Sequence, residues 1–247
     1  MEYRQQLLFY PEVGFERTLG KVILESAFSG QEITLADDSE QLFTARFERD
    51  RRIVLISAAD DERMFMSDFS CRGVRMAFLP TPDLHEVAQA VESWLIDVLT
   101  LREMKLRFST LDVNEIAFEI EAGRGIAAHW NHLLLSIDEY SKANQASWFE
   151  PEFCALIRAA ANRPLLRQLV PKVDLGYLLL FSRTIGYPYV IAGNCGIFAD
   201  GGRYIIRRKD GKQLAEGGLE DTLDAFEGIL PSDTGPAIFG TAEDLST

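Results

Sequence analysis

The sequence predicts an α+β fold made of two helix–antiparallel sheet–helix units joined by a helical middle section. Two observations carry this. Short apolar runs separated by tight turns cluster at 43–79 and again at 175–214. Stripes with helical spacing flank each cluster and occupy most of the stretch between them. The shared order of helix, strands and helix is compatible with a divergent duplication.

Taken in order, Val13, Leu19, Val22, Ile23 and Phe28 can share one face of a helix over 12–28. Phe43, Ala45 and Phe47 alternate with Thr44, Arg46 and Glu48. Asp50-Arg51 then leads into Ile53–Ile56, a hairpin pattern. Two further runs, Met64–Phe69 and Val74–Leu79, are separated by a turn at Ser70–Gly73. Thr81-Pro82-Asp83 reads as a helix start, with a hydroxyl cap, proline at the first position and an acid in the first turn. The helix places Leu84, Val87, Val91, Trp94, Leu95 and Val98 on one face.

The section 101–145 reads as helical, with a short strand around 113–120 and an apolar stripe of Ile126, Trp130, Leu133, Leu134 and Ile137. Ser141–Ser147 is a polar break. Pro151 opens a helix, Asn162-Arg163-Pro164 ends it and starts another, and Pro171 closes that one. Leu175–Phe181 reads as a strand. Ile197-Phe198 and Tyr204–Ile206 flank a turn at Asp200–Gly202, and Asp210-Gly211 turns the chain into Gln213-Leu214. Leu219, Leu223, Phe226 and Ile229 or Leu230 form a last amphipathic helix. The domain reading is therefore 1–100, a helical section 101–170, a β-rich unit 171–231 and a loosely attached tail 232–247.

The composition is that of a folded protein, with 47% hydrophobic residues and 11% aromatics. The apolar runs are too short to span a bilayer, and Met1–Arg4 does not open a signal peptide, so a cytoplasmic location is expected. Cys71, Cys154 and Cys195 have no framework or metal spacing and read as small buried hydrophobes. Acids outnumber bases 38 to 25, for a net charge of −13. Repulsion disfavours nucleic acid and anionic membrane surfaces, whereas a basic protein would be steered in. Acidity for solubility is the competing reading.

The C-terminal hundred residues contain a run "ALIRAAANRPLLRQL" followed by Val170-Pro171, then "LLLFSRTIGYPY", then "DGGRYIIRRKDGKQLAEGGLEDTLDAFEGILP". This succession resembles a bacterial family of unknown function whose members are labelled "natural product biosynthesis protein". The segment "PTPDLHEVAQAVESWL" is similar to a helix that the family places before its middle region. The resemblance implies an accessory protein or enzyme of secondary metabolism. It carries no catalytic residue or cofactor.

Among chemical motifs, His129 and His132 have a spacing at which two imidazoles can meet one metal, but the chain holds only three histidines. A reading as a partly exposed helix face beside a buried Trp130 is favoured, and no metal is expected. Phosphate-loop, dinucleotide and nucleophile-elbow patterns are missing. Ser182, Arg183 and Thr184 at a strand exit, with Tyr189 nearby, form either an anion-binding group or a structural turn in which Arg183 pairs with an acid. The acids Asp37, Asp38 and Glu40, and Asp60, Asp61 and Glu62, fall in predicted loops where they can meet a basic partner. The reading that unites these features is a non-enzymatic, cofactor-free protein-binding protein. Its sharpest form is an immunity protein that neutralises a cognate toxin. The alternatives are the biosynthetic role and a chaperone-like adaptor.

Overall fold

A computed structural model describes residues 3–13, 17–27, 34–35, 42–142 and 150–245. Helices and antiparallel sheets make up two compact units, Met1–Glu121 and Ala122–Thr247. The helical section expected at 101–170 is thereby divided between them.

The first unit opens with α1 (Tyr3–Phe9) and α2 (Leu19–Ala27). Its sheet is a meander in sequence order: β1 (Thr34–Leu35), β2 (Thr44–Arg49), β3 (Arg52–Ala58), β4 (Phe65–Cys71), β5 (Val74–Thr81) and β6 (Asp112–Val113). Asp50 and Arg51 both have positive φ, 50° and 64°, as a two-residue hairpin turn matched to strand twist requires. Ala45, Phe47, Val54, Ile56, Phe65 and Phe69 are buried on one face, where α3 (Leu84–Leu95) packs across β2 to β5. Next come α4 (Leu101–Arg107) and α5 (Glu115–Glu121), on either side of β6.

Several boundaries differ from expectation. The first amphipathic helix begins at Leu19, and Val13 is buried from a non-helical segment. Asp83 is the N-cap of α3, its carboxylate accepting from His85 N–H at 2.8 Å, while Thr81 ends β5 and donates to Glu86 at 2.5 Å. Val98 lies beyond the helix, 54% exposed and at positive φ. The strand expected around 113–120 is confined to β6, and the residues after it form α5.

The second unit begins with α6 (Gly125–Lys142), α7 (Pro151–Ala161) and α8 (Pro164–Arg167). Its five strands are β7 (Val170–Asp174), β8 (Leu178–Ser182), β9 (Ile191–Asp200), β10 (Arg203–Arg208) and β11 (Gln213–Gly217), again an antiparallel meander. The chain then enters α9 (Leu219–Ile229). Leu179, Phe181, Ile197, Tyr204 and Ile206 of the sheet share a core with Trp130, Phe153, Leu156, Ile157, Leu223 and Phe226 of the helices. Trp130 donates its indole N–H to Leu169 O at 2.9 Å, so the largest side chain of that core carries no unsatisfied donor. Cys154 and Cys195 are buried as expected, whereas Cys71 is half-buried at the end of β4.

Pro171, expected to close a helix, lies inside β7, an edge strand, where a missing N–H is tolerated. The tail does not hang loosely at 237–240. Ala237 N–H donates to Gln168 O, Ile238 N–H to Arg183 O, and Ile185 and Gly186 N–H donate to Ile238 O and Gly240 O, all at 2.8–3.0 Å.

Candidate functional site

The β3–β4 connection displays an acidic tip. Asp60, Asp61 and Glu62 are exposed, and none of the three carboxylates has an ion pair or hydrogen bond among the described residues. The loop beneath them is held firmly. Ala59 N–H donates to Met64 O at 2.9 Å, closing its base. The buried Tyr10 hydroxyl shares its proton among the carbonyls of Glu62 and Met64, both at 2.9 Å, and Ala59 at 3.1 Å, and accepts from Met64 N–H at 2.9 Å. Arg63, next to the acids, grips Glu12 through two contacts at 2.8 and 3.2 Å and donates to Phe9 O at 2.8 Å. Its charge is therefore engaged away from the tip. Gln6 adds a bond to Ala58 O at 3.2 Å. Burial raises the Tyr10 phenol above its ordinary value of 10.0, so it stays protonated at neutral pH. Such a frame presents its charges with little ordering cost on binding. The other acids named for this role, Asp37, Asp38 and Glu40, lie outside the described residues.

At the exit of β8 the two hydroxyls bond to the backbone. Ser182 and Thr184 are fully buried. Ser182 donates to Thr184 O at 2.7 Å and accepts from Thr184 N–H at 3.0 Å, while Thr184 accepts from Val190 N–H at 3.1 Å. Arg183 departs from its expected pairing. It has no ion pair among the described residues, and its Nε is buried without a hydrogen-bond partner. Tyr189 is covered by a different cation, with Lys172 Nζ 4.0 Å from its ring centroid. His129 is held by the carbonyl of Gly125 at 2.8 Å, and burial lowers its pKa, so the imidazole is neutral near pH 7. Among the described residues no group of three or more His, Cys, Asp or Glu could hold a metal, and no helix is long and apolar enough to cross a membrane.

A third feature emerges only from strand register. Leu178 opposes Phe198, Leu180 opposes Gly196 and Lys172 opposes Leu180, so these residues share the sheet face away from the helical core. Leu178, Leu180, Gly196 and Phe198, together with Tyr189, Ile191, Cys195, Arg207, Arg208 and Lys209, border a cleft of about 590 Å³. Gly196 makes its floor possible, because a Cβ there would lie 2.5 Å from Leu180 and 2.6 Å from Leu178. The rim is cationic. Arg207 stacks on Phe198 at 5.3 Å, and Arg208 is tied to Asp210 at 2.5 Å. Burial lowers the Lys172 ammonium below its ordinary 10.5. One acid, Asp174, also borders the cleft. The sequence held a sign of this rim: five of the ten residues 203–212 are Lys or Arg, against a single acid, in a chain of net charge −13. The opposing apolar wall was not legible, because strand register selects it.

Residues 124–241, nearly all of the second unit, match the profile of a family of unknown function, DUF6193. No curated protein and no solved structure matches the chain.

Proposed function

We propose that this protein is a non-enzymatic binding protein for a basic protein partner, acting as an immunity protein that neutralises a cognate bacterial toxin. The observation that supports this is the acidic tip at Asp60–Glu62, whose three carboxylates are exposed and unpaired among the described residues on a loop fixed by Tyr10 and Arg63. Fixed like charges accelerate encounter with a surface of opposite sign and favour the correct orientation. The net charge of −13 extends the attraction beyond the loop.

The test is capture of the partner from the native host, followed by co-expression. A basic protein should be retained, its toxicity should be suppressed by this chain, and retention should weaken as salt rises. In the triple variant Asp60→Asn, Asp61→Asn, Glu62→Gln the association rate should fall roughly tenfold at low salt. Thermal stability should hold, since these side chains brace nothing. A partner bound equally well by that variant, or with no dependence on salt, would sink the proposal.

The cleft of the second unit favours a second reading, an accessory protein or enzyme of natural-product biosynthesis. Native mass spectrometry of protein purified from its host would support it by revealing a retained metabolite. Loss of metabolite turnover in Arg183→Ala would specify an enzyme.

A further inference from the structure

We propose that the cleft on the outer face of the second sheet is a binding site for a small carboxylate with an apolar body. It is a site separate from the acidic tip and does not depend on the immunity reading. Its volume of about 590 Å³ lies within the range of small-molecule sites, on the order of 300–1,000 Å³, and is small for a protein partner. Its wall is aliphatic and aromatic, from Leu178, Leu180, Ile191, Phe198 and Tyr189. Tyr189 remains 44% exposed beside Lys172, so part of its ring is open to a ligand.

The charge pattern selects an anionic head group. Three cations border the cleft, and Asp210 engages Arg208. Arg207 and Lys209 have no ion pair among the described residues, and Arg207 is held in place over Phe198. A guanidinium so oriented offers a planar fork that matches a carboxylate in two parallel hydrogen bonds. Lys172 above Tyr189 adds a partly desolvated positive charge at the neighbouring edge. This concentration of positive charge runs against the net charge of the chain. This local positive charge attracts an anionic amphiphile to the cleft despite the negative net charge of the chain.

Isothermal titration of the full chain with octanoate, octyl phosphate, octylammonium and acetate tests the assignment. Octanoate should bind more tightly than the other three. Acetate tests the apolar wall and octylammonium the charge. In Arg207→Gln/Lys209→Gln the octanoate affinity should fall at least about tenfold, with the thermal midpoint retained. Tyr189→Ser, at an exposed wall position, should weaken octanoate binding without changing its preference over octylammonium. Equal binding of octylammonium, unchanged affinity in the double variant, or no binding of octanoate at millimolar concentration would each overturn the proposal. Tighter binding of octyl phosphate would overturn the carboxylate assignment. Toxin neutralisation should survive Arg207→Gln/Lys209→Gln, so failure of this site is distinguishable from failure of the immunity reading.

Discussion

Tyr10 illustrates how one side chain can organise a surface it does not belong to. Its ring is buried against Phe43 and Phe65, with centroids 5.9 and 5.2 Å away, and its hydroxyl satisfies the backbone of the acidic loop. Tyr10→Phe keeps the packing and removes the hub, leaving Met64 N–H without that acceptor. The expected loss is about 1–3 kcal/mol, the range for stranding a buried polar group, read by chemical denaturation. Slower partner association should accompany it, although no charge has changed. The pH dependence follows from the raised phenol pKa. The unfolded phenol ionises near 10.0 and the folded one higher, so the stabilisation is complete below pH 10 and is lost as pH rises through the folded value. The alkaline limb of a stability–pH curve should therefore be shallower in Tyr10→Phe than in the parent. The acids themselves were legible in the sequence because loop acids reveal themselves by composition. Tyr10 was not, since the groups it serves lie about fifty residues away and meet it only in the folded chain.

Among the elements, α3 shows how a helix end is decided by tertiary contacts. Arg52, from β3, donates to Trp94 O at 2.9 Å and Leu99 O at 3.2 Å, and its guanidinium lies 4.1 Å from the Trp94 ring centroid. It therefore supplies a donor and a positive charge at a helix C-terminus that lacks basic residues of its own. Arg52→Met should destabilise the first unit by about 1.5–3 kcal/mol, the range for hydrogen bonds involving a charged group, and speed hydrogen exchange in the last turn of α3. The cap at the other end shifted from Thr81 to Asp83 because Thr81 is the last residue of β5, paired with Phe65. In the second unit, Arg163 joins the α7–α8 corner to α9 through Glu220 at 2.6 Å and Asp224 at 2.5 Å. Those acids are largely exposed, so Arg163→Gln should cost about 1 kcal/mol or less, diminishing in high salt. Helices with strong apolar stripes, α6, α7 and α9, were legible. The edge strand β7 was not, since Pro171 has the same sequence appearance whether it stops a helix or sits at a sheet edge.

At the scale of the whole molecule, each unit has its own sheet and its own apolar core. The join at Glu121–Arg124 is exposed, with a turn at Ala122-Gly123 where Gly123 takes φ 76°. A fragment spanning 122–247 should fold by itself, unfolding cooperatively in denaturant with a near-ultraviolet signal from buried Trp130. A gradual transition without that signal would show that its core needs the first unit. The family match at 124–241 occupies this same stretch.

The sequence by itself determined the α+β class, most of the hairpins and the presence of acids in the β3–β4 loop. These follow from local periodicity, turn chemistry and composition, and need no knowledge of distant contacts. Tertiary structure alone decided that the Ser182 and Thr184 hydroxyls serve the backbone, that Arg183 lacks a described acid, and that the tail is fastened at 237–240. It also decided that Leu180, Gly196 and Arg207 meet on one sheet face to form a cleft. The reason is register. A one-residue slip in strand pairing exchanges the two faces of a strand, and no local signal fixes which residues from β8, β9 and β10 will stand together.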